Sequence, residues 1–138
     1  MDFERAAQLA GEIAETLNRR DPDRFLARVH RDFEGCSALV QAEGGQMFRG
    51  VDGARAWFDN LLEVYERLRA SVEQTVAVGR NALHLVRIEF VGRGSGVAIE
   101  ALVAWVIEAR EDRIVFMHSH LDLAEAFDEM SRRVAELH

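Results

Sequence analysis

The chain has 138 residues, 49% hydrophobic and 30% charged, the composition of one ordinary globular domain, and no apolar run approaches the roughly 20 residues of a membrane helix. All 17 basic residues are arginines and the formal net charge is −7. The sign argues against a phosphate-tracking nucleic-acid binder, and the lack of lysine removes Schiff-base and phosphate-loop chemistry, both of which need a primary amine. The single cysteine, Cys36, forbids an internal disulfide and reads as a small buried hydrophobe in a reducing compartment. Acidic residues from the second position, with no basic stretch leading into an apolar one, predict a cytoplasmic chain without a secretory signal.

In chain order, Phe3, Ala6, Ala7, Ala10, Ile13, Ala14 and Leu17 recur at helical spacing and predict a first helix to about Asn18. Asp21-Pro22 is an N-cap followed by proline at the first helical position, so a short second helix should run to about His30. Phe33 to Ala42 reads as an irregular strand, broken at Gly44-Gly45, with MFRG turning the chain. Asp52 is then the expected cap of a third helix whose stripe is Ala54, Trp57, Phe58, Leu61, Leu62, Tyr65 and Leu68. Alternation from Ser71 to Val78, a turn at Gly79-Arg80-Asn81 and a return from Ala82 to Val91 predict a hairpin. The glycine-rich GRGSG at 92–96 joins two strands, so it reads as a turn; a phosphate loop needs a helix N-terminus behind it.

Residues 97–122, VAIEALVAWVIEAREDRIVFMHSHLD, form the organising hairpin. With Glu111-Asp112 as a two-residue loop, a regular ladder pairs Ala109 with Ile114, Ile107 with Phe116, Trp105 with His118 and Val103 with His120. That places both imidazoles and the indole together on the core face. Leu102, Ala104, Val106, Val115, Met117 and Leu121 fall on the other face, apolar enough to predict a homodimer through it. Pairing Phe90 with Ile99 puts His84, Val86 and Ile88 in the core and Arg87, Glu89 and Glu100 outside; a slip of one would bring Arg87 and Glu89 beside Trp105. Leu123, Ala124, Ala126, Phe127, Met130 and Val134 predict a terminal helix capped by Asp122, for an order ααβαββββα.

This order, with HRDFEG, MFRGVDGARAWFDNLLE, RGSGVAIEALVAWV and DRIVFMHSHLDLAEAF in sequence along it, resembles the SnoaL-like branch of the nuclear-transport-factor-2-like superfamily over nearly the whole chain. The resemblance implies an α+β cone, a strongly curved and mostly antiparallel sheet around helices, with a pocket in the concavity and frequent dimerisation through the sheet. Its members include cyclases, isomerases, dehydratases, epoxide hydrolases and proteins without known activity, so the fold leaves the function open. The carboxylate base of ketosteroid-isomerase-like members has only Glu43 to match it, and their buried acid falls near Ala104 or Trp105. The acidic residue that cyclase-type members carry on the last strand lies close to His118 and His120.

Two readings follow. One is a cofactor-independent acid/base enzyme acting on a small cyclic or polyketide-like apolar carbonyl compound, with His118 and His120 carrying protons and Trp57, Tyr65, Trp105 and Phe116 lining the pocket. The other is a non-catalytic ligand-binding or dimerisation module in which the same histidines are structural. Alternate strand positions can also present two ligands to a metal, but the sequence assures no third, and Asp32, Glu34 and Tyr65 could be enlisted only arbitrarily, so no metal site is assigned.

Overall fold

The computed structural model describes residues 2–37 and 47–136. Helix α1 spans Phe3–Asn18, with the Asp2 carboxylate accepting from the Arg5 backbone N–H. Helix α2, Pro22–Leu26, is capped by Asp21 in the same way. Strand β1 is Val29–Ser37 and β2 is Phe48–Arg49; helix α3 is Gly50–Val64; strands β3 to β6 are Tyr65–Val78, Asn81–Gly92, Ala98–Arg110 and Arg113–His120; helix α4 is Leu123–Glu136. The six strands make one curved, unclosed sheet in the order β2-β1-β6-β5-β4-β3, antiparallel except where β1 runs parallel to β6. This is the expected α+β cone.

Several boundaries differ from the sequence reading. The second helix stops at Leu26, and His30 already lies in β1. MFRG contributes a short strand as well as a turn, and the expected strand residues 38–42 lie outside the described ones. The third helix begins at Gly50, which takes a φ of +71°, two residues before the expected cap. It ends at Val64, so Tyr65 and Leu68 belong to β3. The stop has a physical agent: the last turn of α3 holds no cation, and two arginines from elsewhere supply one. Arg20 donates to the Leu62 carbonyl at 2.8 Å and to that of Tyr65 at 3.2 Å, and Arg93 donates to the carbonyls of Glu63 and Leu62 at 2.8 and 3.0 Å. From Leu68 the buried residues then follow strand alternation.

The main core lies on the concave side. Ile13 and Leu17 of α1, Phe25 of α2 and Trp57, Phe58 and Leu61 of α3 pack against Leu68, Val86, Ile88, Val103, Trp105 and Ile107 of the sheet. Asn18 ties α1 to the free edge, donating to the Ala70 carbonyl at 3.0 Å and accepting from its N–H. The pairing of Phe90 with Ile99 holds, so Arg87 is outside, bonded to Glu73 and, at 2.8 Å, to Glu100.

Part of the outer face is covered within the chain itself. Helix α4, capped by the Asp122 carboxylate on the Ala124 N–H at 2.8 Å, lies over it and forms a second core from Ala126 and Met130 against Leu83, Ala104, Val106 and Phe116. Of the six residues assigned to a dimer face, Ala104 and Val106 are covered by this helix, Met117 belongs to the concave core, Val115 is buried, and Leu102 and Leu121 remain exposed. Of the apolar residues that predicted α4, Leu123 and Phe127 are exposed. Arg133 fastens the helix: it donates to Glu108 at 2.6 Å and to Asn81 Oδ1 at 3.1 Å, and its guanidinium lies 3.6 Å from the centre of the Phe116 ring. Because Glu108 is buried and would keep only Arg110 as partner, Arg133→Ala should lower the unfolding free energy by about 2–3 kcal/mol in urea titrations.

Candidate functional site

The hairpin loop is the expected one, Glu111-Asp112, both residues with φ near +60° as a type I′ turn requires. Beyond it the ladder departs from regular pairing. Ala109 pairs with Ile114, but Glu108 pairs with Phe116, so Val115 is an extra residue in β6. Every later position is displaced by one: Ile107 faces Met117, Val106 faces His118, Trp105 faces Ser119 and Ala104 faces His120. A displacement of one exchanges the two faces of a strand. Phe116, His118 and His120 therefore point to the outer side beneath α4, not into the concavity with Trp105. The reason is legible in the energetics: the regular ladder would bury two imidazoles in an apolar core and turn Met117 out, whereas the bulged one buries Met117 and gives each imidazole a charged partner.

That partner is Glu129. On α4, Ala126, Glu129, Met130 and Arg133 share one face at three- and four-residue spacing, and this face meets β6. His118 Nδ1 lies 2.7 Å from one Glu129 carboxylate oxygen and His120 Nε2 lies 2.9 Å from the other, with the two imidazole rings 3.9 Å apart between centroids. An ionised carboxylate only accepts, so both ring nitrogens donate. Burial alone would raise the Glu129 carboxyl, but the bonds from His118 and His120 outweigh it and hold the group below the ordinary carboxylate value. His120 is nearly inaccessible, while 27% of the His118 side chain meets solvent. Glu129 is the residue that sequence reading missed; its only signal was its place beside Met130 on the helix stripe.

The concave side holds the other set. Trp57 and Trp105 are both buried in the main core, and Phe25 lies 5.3 Å from Trp57 and 5.2 Å from Phe58 between centroids. Tyr65 packs edge-on against Phe90 at 5.1 Å, and burial pushes its phenol up. The structure thus keeps Trp57, Trp105 and Tyr65 on the concave side and separates Phe116, His118 and His120 from them. The row Thr75, His84, Trp105, Ser119, half-buried at Thr75 and buried from His84 on, runs across four paired positions of this face. His84 is bonded to the Thr75 hydroxyl at 2.8 Å, and burial lowers its imidazole to about 4, so it is neutral at pH 7. Trp57 Nε1 and Ser119 Oγ are buried without a hydrogen-bond partner among the described residues.

With this geometry in view, the SnoaL-like domain family matches residues 10–117, from α1 into β6. The chain is a member of that family. No curated protein matches it. Similar solved structures include a protein of ketosteroid isomerase-like fold from Catenulispora acidiphila in complex with trimethylamine, at 11% identity, TM-score 0.74, covering 89% of this chain and 92% of that one. An epoxide hydrolase of the LEH-like type from M. tuberculosis aligns at 16% identity, TM-score 0.68, over 97% and 95%. TerC, co-crystallised with polyporic acid, aligns at 17% identity, TM-score 0.72, over 91% and 97%. At such identities these likenesses establish a shared fold and nothing finer. Within the SnoaL-like chain no described helix is long and apolar enough to cross a membrane.

The buried histidine generates a prediction. Unfolded, His84 takes up a proton below its ordinary pKa of about 6.5; folded, it does so only near 4, so the unfolded chain binds the extra proton between these values. Its contribution is intact above pH 6.5 and is lost as pH falls towards 4, a loss of about 3 kcal/mol. His84→Gln should flatten the stability profile of the SnoaL-like chain in that window, measured by urea unfolding at half-unit pH steps.

Proposed function

We propose that this SnoaL-like chain binds a small, flat or cyclic apolar molecule on the concave side of its sheet. The carrying observation is that two buried polar atoms of this side, Trp57 Nε1 and Ser119 Oγ, have no partner among the described residues, beside an aromatic and aliphatic core. A buried donor left unmatched costs about 1–3 kcal/mol, so such atoms persist where something else satisfies them. An indole N–H only donates, which requires an acceptor on the ligand; a carbonyl or quinone-type oxygen on a ring system meets both the aromatic lining and that donor. Neutral His84, in the same row as Ser119 and Trp105, is the imidazole nearest this chemistry by register. Trimethylamine and polyporic acid in structurally similar proteins are consistent with a cone that admits small molecules.

A second reading, acid/base catalysis by His118 and His120, draws on the carboxylate that bridges both rings and orients them. It places the chemistry on the outer side, under α4, away from the aromatic interior.

Indole emission titrated with a panel of cyclic carbonyl compounds, polyporic acid included, tests the first reading. Saturable quenching is expected, reduced in Trp105→Phe. Trp57→Phe, which keeps a ring and removes the donor, should weaken binding by about tenfold, the worth of one hydrogen bond. Absence of saturable quenching across the panel would show that the interior is a closed core.

A further inference from the structure

Among the described residues, one group of three side chains offers metal-ligating atoms to a common point: His118 and His120 on β6 and Glu129 on α4, with those atoms all within 4.8 Å of one another. The group meets the requirement that the strand alone could not, a third ligand from a second element. Two alternate positions of a strand fix the imidazole pair, and the α4 stripe fixes the carboxylate. Around a tetrahedral ion with ligand bonds of roughly 2.0–2.2 Å the ligand atoms stand roughly 3.4 Å apart. The nitrogen-to-oxygen separations here are 2.7 and 2.9 Å, the spacing of hydrogen bonds, so a cation replacing the two shared protons needs the side chains to part by about half an ångström.

Charge and access agree with this. Two neutral imidazoles and one carboxylate carry a net charge of −1, so a divalent ion would be attracted to the site and would leave it with a residual charge of +1. The guanidinium one turn along α4, Arg133, is committed to Glu108 and Asn81 rather than to Glu129. His118 is the member open to solvent, so an ion has a route in. The donor set of two imidazoles and one carboxylate suits zinc and its neighbours rather than magnesium or calcium, which take all-oxygen shells.

We propose that His118, His120 and Glu129 bind one divalent transition-metal ion of the zinc and cobalt class, tying α4 to β6. The site lies on the opposite side of the sheet from the concave ligand site, so either can fail without the other. The test uses the full chain without a polyhistidine tag, freed of metal by chelator dialysis and titrated with cobalt(II) by visible absorption and with zinc(II) by calorimetry. One equivalent should bind saturably, release protons and raise the melting temperature. Since losing even an outer hydrogen-bond partner of a ligand weakens metal sites by about 10–100-fold, Glu129→Gln and His118→Gln should each weaken binding by at least about 100-fold. His30→Gln, in β1 and outside the group, should leave it unchanged. Circular dichroism of the variants separates lost affinity from lost fold. No saturable binding at one equivalent, or binding unaltered in folded Glu129→Gln and His118→Gln, would overturn the proposal.

Discussion

A single extra residue, Val115, decides what each side of this sheet can do. By inserting one position into β6 after Ile114, the chain turns Met117 and Ser119 towards Trp105 and turns Phe116, His118 and His120 away from it. The alternation of a strand allows no intermediate arrangement, so the bulge acts on all these side chains at once. The concavity gains a thioether in its core and a hydroxyl in the row of His84. The outer side gains two imidazoles and an aromatic ring, all of which then need cover.

Helix α4 supplies that cover, and its polar contacts are as specific as its apolar ones. Ala126 and Met130 fill the space over Ala104, Val106 and Leu83, while Glu129 and Arg133 of the same face engage the histidines and the Glu108–Phe116 pair. Both charged anchors are substantially buried, where an ion pair is worth having only if both partners stay matched. The same economy recurs elsewhere in a chain whose cations are all arginine: Arg20 and Arg93 each place several donors on the carbonyls that end α3, a task for a fork of N–H groups more than for a single ammonium.

What the sequence made legible follows from period and local chemistry. Helical spacing located α1 and α4, Asp21-Pro22 and Asp122 located two caps, and the distribution of charge along β4 and β5 was enough to pair Phe90 with Ile99 and keep Arg87 outside. The bulge was not legible, because Ile114, Val115 and Phe116 are all apolar and suit either face; nothing local marks which of them is extra. That one omission misplaced both histidines and Phe116 relative to Trp105. It also concealed Glu129, whose meeting with His118 and His120 depends on which side of β6 they occupy. Tyr65 and Leu68 were drawn into the third helix because their spacing continues its stripe; the arginines that end that helix come from sequence positions 20 and 93, beyond any local window.

The protein thus carries two chemically distinct faces: an aromatic interior that holds Trp57 Nε1 and Ser119 Oγ, unmatched among the described residues, and an imidazole–carboxylate cluster between sheet and terminal helix. Both descriptions depend on the facing of β6. Nuclear Overhauser spectroscopy of the isotope-labelled chain measures that facing directly. Cross-peaks are expected from the ring protons of His118 and His120 to the side chain of Glu129, with the Trp105 indole giving none to either histidine. Cross-peaks from His118 to the Trp105 indole, with none to Glu129, would restore the regular ladder and contradict the bulged one.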